Sequence, residues 1–296
     1  MAKIELSPTA DHLSQEYLLV PAWKKSHDYI RHQNWYSDVL ELDLTNTNLA
    51  EVIRAIAKVI DSDETVSSTP LRLVLAPKSQ PWEIKNDQWT PVGGASTVSR
   101  KLRPLAHICV RDQIIATGFM ILLANLVENR QGDPRRSSRK AHDERMVSYG
   151  HRLFCDDVKG QLRFRWGNAG VYRQFYQDYQ NFIARPDQIV ADQFDSADDS
   201  WAVVSVDLSQ FYDRVRPEVL HDKVASLLGD NPDEVFLDKF RGLFNWAWHT
   251  SEEGEALKYA TTTEPTPIPE FDRIALPQGL VASGFFSNVV LLDFDD

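Results

Sequence analysis

Val206-Asp207-Leu208-Ser209-Gln210-Phe211-Tyr212-Asp213 closes an apolar run, Trp201-Ala202-Val203-Val204-Ser205-Val206, and the reading of this stretch decides the fold. β-Branched residues dominate the run, which predicts a largely buried strand ending at Asp207. A carboxylate there needs a compensating partner, because an unpaired buried anion takes up a proton rather than stay charged. A divalent metal ion is the natural companion for Asp207. The opposing reading makes Asp207 a strand-end residue that caps the next turn. Further on, Leu276-Pro277-Gln278-Gly279-Leu280-Val281-Ala282-Ser283 runs on to Asn288. Gly279 permits a tight turn there, and Ala282, Ser283 and Gly284 keep the first turn of the following helix slim.

Together the two motifs resemble those of reverse transcriptases. In that family a palm strand carries an Asp with an aromatic residue five positions later, and a Pro-Gln-Gly is followed by Ser four and Asn nine residues after the Gly. Here Asp207 and Tyr212 have the first spacing, and Gly279, Ser283 and Asn288 have the second, in the same order. Lys101-Leu102-Arg103-Pro104-Leu105-Ala106-His107-Ile108 and Val110-Arg111-Asp112-Gln113 resemble the opening of the fingers, and Ser148-Tyr149-Gly150-His151-Arg152-Leu153 is similar to the family's Tyr-Gly-x-Arg element. The resemblance covers residues from about 100 to 296. A fainter likeness to bacterial defence-associated members implies a role in antiviral defence.

The resemblance implies an α+β fold: right-hand polymerase fingers and partial palm with an N-terminal extension. Residues 1–95 are then an N-terminal region of unknown role, 96–200 the fingers, and 201–296 a partial palm built on a mainly antiparallel sheet. The implied activity is RNA-directed DNA polymerisation, a two-metal transfer of deoxynucleotides on a nucleic-acid template. Asp207 would be catalytic and a ligand of Mg²⁺, two ions serving the complete enzyme, with the Leu208 carbonyl beside it. Tyr212 would lie under the sugar and clash with a 2′-hydroxyl, while Gln278 and Gly279 would face template or nucleotide. Lys101, Arg103 and Arg152 would grip the triphosphate, and Arg163, Arg165, Arg173 and Ser283 would contact nucleic acid. Implied partners are an RNA or DNA template with its primer and deoxynucleoside triphosphates; a non-coding RNA or a partner subunit is a further candidate.

The family's third palm motif, an aromatic-x-Asp-Asp hairpin, is expected some tens of residues after the Pro-Gln-Gly. Asp295-Asp296 follows Asn288-Val289-Val290-Leu291-Leu292 directly and reads as the end of the second motif's helix rather than as that hairpin. The sequence is therefore expected to be truncated, and the 296-residue chain alone to be inactive as a polymerase. Two alternatives remain: an RNA-dependent RNA polymerase, which usually has a polar residue where Tyr212 stands, and a non-catalytic relative that binds nucleic acid or a partner.

With 43% hydrophobic residues in 296, the chain can bury a substantial core. Cys109 and Cys155 have no metal-ligand spacing, and Met1 to Ser7 contain no apolar signal segment. Ile114 to Val127, broken by Asn125, is short for a bilayer span and reads as a buried core helix, so a cytoplasmic protein without a membrane partner is expected. The net charge of −11 is unevenly spread: Arg130 to Arg173 hold eleven Lys or Arg against five Asp or Glu, a local +6. Phe164, Trp166, Tyr172 and Phe175 interleave with these cations, which suits a surface that tracks a phosphate backbone and stacks bases. A solvated charged loop is the alternative.

Elsewhere the pattern predicts a helix from Leu49 to Ile60 capped by Thr47 or Asn48, and a strand over Leu71 to Leu75. It also predicts a joint at Pro91 to Ser96, a surface turn at Asp192 to Ser200, helices over Pro217 to Leu228 and Pro232 to about Trp248, and a loop over Thr261 to Pro267. Asp213 reads as a helix cap, and Trp23, Trp35, Trp82 and Trp89 as packing residues.

Overall fold

Apolar residues spaced three and four apart place the N-terminal helices on the core. The computed structural model describes residues 5–33, 38–77, 82–91, 102–193, 202–263 and 266–295. It opens with α1 (Ala10–Leu13), α2 (Glu16–Gln33), α3 (Val39–Thr47) and α4 (Leu49–Asp61). Ile53, Ile56 and Ile60 form the buried face of α4. Of the two expected caps, Asn48 takes the N-cap position of α4, but without a side-chain capping bond: Asn48 Nδ2 donates backwards to Leu44 O, as Thr47 Oγ1 does to Asp43 O of α3. Trp35 lies outside the described residues.

Four strands follow. β1 (Arg72–Pro77) pairs antiparallel with β4 (Leu102–His107), Arg72 opposite His107, around a hairpin of β2 (Trp82–Lys85) and β3 (Gln88–Pro91). Next comes α5 (Val110–Gln131), the central helix. Its length and composition would suffice to cross a bilayer, but 83% of its most apolar window is buried inside the protein. Phe119 on α5 meets Phe236, Phe240 and Phe244 edge-on, with ring centroids 5.0 to 6.1 Å apart.

The chain continues through α6 (Ser138–Asp143), the antiparallel hairpin β5 (Cys155–Val158) and β6 (Gln161–Phe164), and α7 (Phe175–Gln193). It ends with α8 (Phe211–Arg214), α9 (Pro217–Leu228), α10 (Glu234–Leu243), β7 (Trp246–Ala247), α11 (Glu253–Thr262), β8 (Arg273–Ile274) and α12 (Ser283–Asp295). The fold is mixed α+β, and its sheets among the described residues are two-stranded antiparallel ribbons. One buried cluster draws on residues from Leu13 to Leu292, so helices of the first hundred residues share a core with the last helix.

The structure corrects several sequence expectations. Residues 202–208 form no strand, and Val203, Val204, Val206 and Leu208 are exposed, Val204 at 79%. Trp201 lies outside the described residues. No sheet among the described residues includes this run, and strand stability comes from cross-strand pairing. The helix expected from Pro232 to Trp248 stops at Leu243, because Phe244 leaves helical geometry and Trp246 pairs with Ile274. The loop expected at Thr261 begins later, since α11 runs through Thr262.

Two buried cations tie segments together. Arg152, 1% exposed, donates Nε and Nη2 to Glu128 Oε2 at 3.1 and 2.9 Å, and Glu128 Oε1 accepts from Leu153 N. Burial raises the Glu128 carboxyl above its usual pKa, and the Arg152 charge opposes that rise. Lys25 Nζ donates to Arg165 O, Asn168 Oδ1 and Gly170 O, and lies 4.5 Å from the Phe164 ring centroid. Its burial pushes the ammonium pKa down to about 7, although three acceptors and the ring favour the charged form.

Arg152→Leu should therefore cost roughly 3–5 kcal/mol by stranding the Glu128 carboxylate, read as a lower denaturant midpoint with an unchanged slope. For Lys25, a depressed folded-state pKa means that the unfolded chain holds an extra proton between about 7 and 10.5. This contribution is fully present above 10.5 and lost as pH falls through about 7. Denaturation across that range should show stability rising with pH, and Lys25→Met should flatten the rise.

Candidate functional site

The second motif is held in place by a close approach that only glycine allows. Ala106 N on β4 donates to Gln278 O at 2.8 Å, and a Cβ on Gly279 would stand 2.3 Å from Ala106 O. Gly279 also has φ +136, outside the range of ordinary L-residues. On the other side the Gln113 side chain of α5 grips the same turn, its Nε2 donating to Gly279 O at 2.8 Å and its Oε1 accepting from Val281 N at 3.0 Å. Tyr172 completes the hold: its hydroxyl donates to Val281 O and accepts from Phe285 N. Ser283 Oγ is turned inward and donates to Pro277 O.

The first motif meets this turn across a cleft of about 590 Å³. Asp207 ends the extended run, Gln210 turns the chain with φ 48, and α8 presents Tyr212. Asp207, Leu208 and Tyr212 line one part of the cleft and Gln278, Gly279 and Ser283 another, with Arg103 from β4 also on the wall. Asp213 does not cap α8, a role that falls to the Gln210 position. It is buried within the helix and accepts from Gln278 Nε2 at 2.8 Å and from the Tyr259 hydroxyl at 3.0 Å. These two bonds latch the motifs together.

Much of the cleft wall is polar but uncharged. Burial raises the Tyr212 phenol above its usual pKa, with a hydrogen bond to Ser287 opposing the rise, and burial raises Tyr172 further. Burial against the wall lowers His151, whose ring lies on Gly284 so closely that a Cβ there would come within 2.6 Å of it. The Asp207 carboxylate is exposed and has no hydrogen bond or ion pair among the described residues. Among the described residues, no group of three or more His, Cys, Asp or Glu gathers as a ready cage. The donor set therefore fits one carboxylate ligand of an ion whose remaining positions are filled by phosphates and water, the usual manner of Mg²⁺.

Other sequence-predicted residues lie elsewhere. Lys101 lies outside the described residues. Arg152 is not free to hold a triphosphate, because it is buried and bonded to Glu128, Ser148 O and Gly132 O. Arg165 pairs with Asp156 and covers the Phe154 ring, Arg173 pairs with Asp178, and Arg163 bonds to Gln161. Among the described residues, six of the eleven cations between Arg130 and Arg173 are in ion pairs, three of them with acids outside that segment, Asp293, Glu128 and Asp178. Of the interleaved rings, Phe164 and Tyr172 are packed inward, while Phe175 heads an exposed row with Tyr179 and Phe182 on α7.

Sequence reasoning missed Gln113, Tyr172, His151 and Tyr259 as parts of the site. Gln113 and His151 stood inside quoted motifs, yet nothing in their spacing announces a side chain that reaches another motif. No protein-family model and no curated protein matches this chain.

Gly279→Ala combines left-handed strain with a backbone collision. We expect a loss of about 2–4 kcal/mol, seen as a lower thermal midpoint, and faster amide exchange at Ala106 as its bond to Gln278 O opens.

Proposed function

We propose that this chain is the fingers and partial palm of an RNA-directed DNA polymerase and that the cleft is its deoxynucleotide site. One observation carries the reading: the motif of Asp207 and Tyr212 and the motif of Gln278 and Gly279 face one cleft, joined by a side-chain bond between residues 65 apart. Either motif alone is a common pattern. Their convergence on a cavity of nucleotide size is not expected of unrelated segments.

In this reading Asp207, with the Leu208 carbonyl beside it, holds Mg²⁺ against the phosphates. The ion, when bound, supplies charge stabilisation for in-line displacement at the α-phosphate. Arg103, exposed on the wall, draws the triphosphate in, and the bonded Gly279 turn gives base and sugar a fixed surface. Tyr212, partly buried, puts a ring where a 2′-hydroxyl would need space. That ring favours deoxynucleotides and argues against the RNA-dependent RNA polymerase alternative.

Calorimetric titration of the chain with dTTP should show binding that requires Mg²⁺, and Asp207→Asn should abolish the Mg²⁺ requirement together with most of the affinity. Tyr212→Ala should improve UTP binding relative to dTTP by roughly tenfold, the scale of a small steric discrimination. Binding without turnover, even with primer and template, would favour a non-catalytic relative. Absence of any Mg²⁺-dependent nucleotide binding would remove the proposal.

A further inference from the structure

The latch between the two motifs also fixes the polarity of one point in the cleft. The half of the Gln278 amide that meets Asp213 Oδ1 is its NH₂, which donates at 2.8 Å. The carbonyl half is thereby turned away from Asp213. Gln278 Oε1 has no hydrogen bond among the described residues, and Gln278 lines the cleft. The arrangement is backed on both sides. The Tyr259 hydroxyl donates to Asp213 Oδ2, and burial together with the adjacent carboxylate pushes that phenol well above its usual pKa, so it remains a donor. The main chain cannot swing either, since Gln278 O accepts from Ala106 N and the Gln113 amide holds both Gly279 and Val281.

We propose that Asp213, supported by Tyr259, is a positioning residue that locks Gln278 with its carbonyl oxygen toward the ligand. The cleft then selects a ligand group that donates a hydrogen bond at that point, a sugar hydroxyl or a donor on the base edge. An amide free to rotate would serve donors and acceptors alike; a locked amide serves donors only. The identity of the ligand rests on the nucleotide reading above, whereas the amide orientation does not.

Asp213→Asn is close to isosteric and replaces the pure acceptor with a group that can donate. Gln278 is then free to turn its NH₂ into the cleft. Adding Gln278→Glu to Asp213→Asn restores the original polarity, because the new amide donates to one carboxylate oxygen and leaves the other facing the ligand. Gln278→Glu alone sets two carboxylates against each other. Four proteins, the wild type, the two single variants and the double variant, are titrated with Mg²⁺·dTTP and with its 3′-deoxy counterpart ddTTP. ¹⁵N spectra of the Gln278 side chain report its bond to Asp213 directly.

Asp213→Asn should weaken dTTP about three- to tenfold, the scale of one hydrogen bond. Gln278→Glu alone should weaken it at least as much, and the double variant should return to within about twofold of wild type. If the sugar hydroxyl is the donor, ddTTP starts weaker and Asp213→Asn leaves it unchanged. If the donor is on the base, both nucleotides weaken together and both recover in the double variant. Weakening without recovery would mark Asp213 as merely structural and overturn the proposal, as would unchanged affinity in Asp213→Asn. In the wild type one Gln278 NH₂ proton should be shifted downfield and protected from exchange; an unprotected, averaged NH₂ would overturn the lock even if no variant folds. A wild type that binds neither nucleotide would remove the nucleotide reading and leave the lock to be decided by the spectra.

Discussion

The near-complete burial of α5 is the constraint on which the other contacts depend. A helix enclosed by protein must still satisfy its polar side chains, because each unpaired buried group costs on the order of 1–3 kcal/mol. Those on α5 therefore bond outward. Asp112 accepts from Thr69 N, Thr117 meets Ser26 of α2, and Asn125 accepts from Phe164 N. Glu128 accepts from Arg152 and Leu153 N, and Gln131 Nε2 donates to Ser148 Oγ, while Gln131 Oε1 is buried with no partner among the described residues. Gln113 is one member of this series, and its partner is the Gly279 turn. The helix thus sets where each neighbouring segment sits, and the site inherits its geometry from the core.

The same logic separates what was legible in the sequence from what was not. The helix over Pro217 to Leu228 was legible to the residue, since Pro stands at its start and Gly229 follows its end. Leu49 to Ile60 was legible from its stripe, and Gly279 from its motif. The run before Asp207 misled because β-propensity measures how side chains fit a pleated surface, and a local stretch does not say whether neighbours exist to form one. The extent of α11 was hidden by its threonines, whose hydroxyls bond back to the carbonyls of Leu257 and Lys258 and so fit the helix after all. Arg152 misled for a third reason. Charge is visible in a sequence, but the partner Glu128 that occupies this guanidinium is supplied by folding.

Within the site, the division of labour follows burial. Groups that must hold a shape, Gln113, Tyr172, Asp213 and Ser283, are buried or nearly so and spend their hydrogen bonds on the protein. Asp207 and Arg103, exposed charged groups on the cleft wall, make no such bonds among the described residues. A charge in contact with water keeps its ionisation at little cost, whereas a shape is kept best by atoms that water cannot reach.

The exposed run leading to Asp207 gives the cleft two unlike walls. The Gly279 wall is fixed from three directions before any ligand arrives. Among the described residues, by contrast, no backbone hydrogen bond ties residues 202–208 to a neighbour, so the carboxylate at their end is carried on a tether. For the proposed Mg²⁺, each residue of that segment that binding would immobilise would forfeit conformational freedom worth about 1–2 kcal/mol. On that reading, pairing the segment along its length would tighten metal binding without altering a single ligand atom.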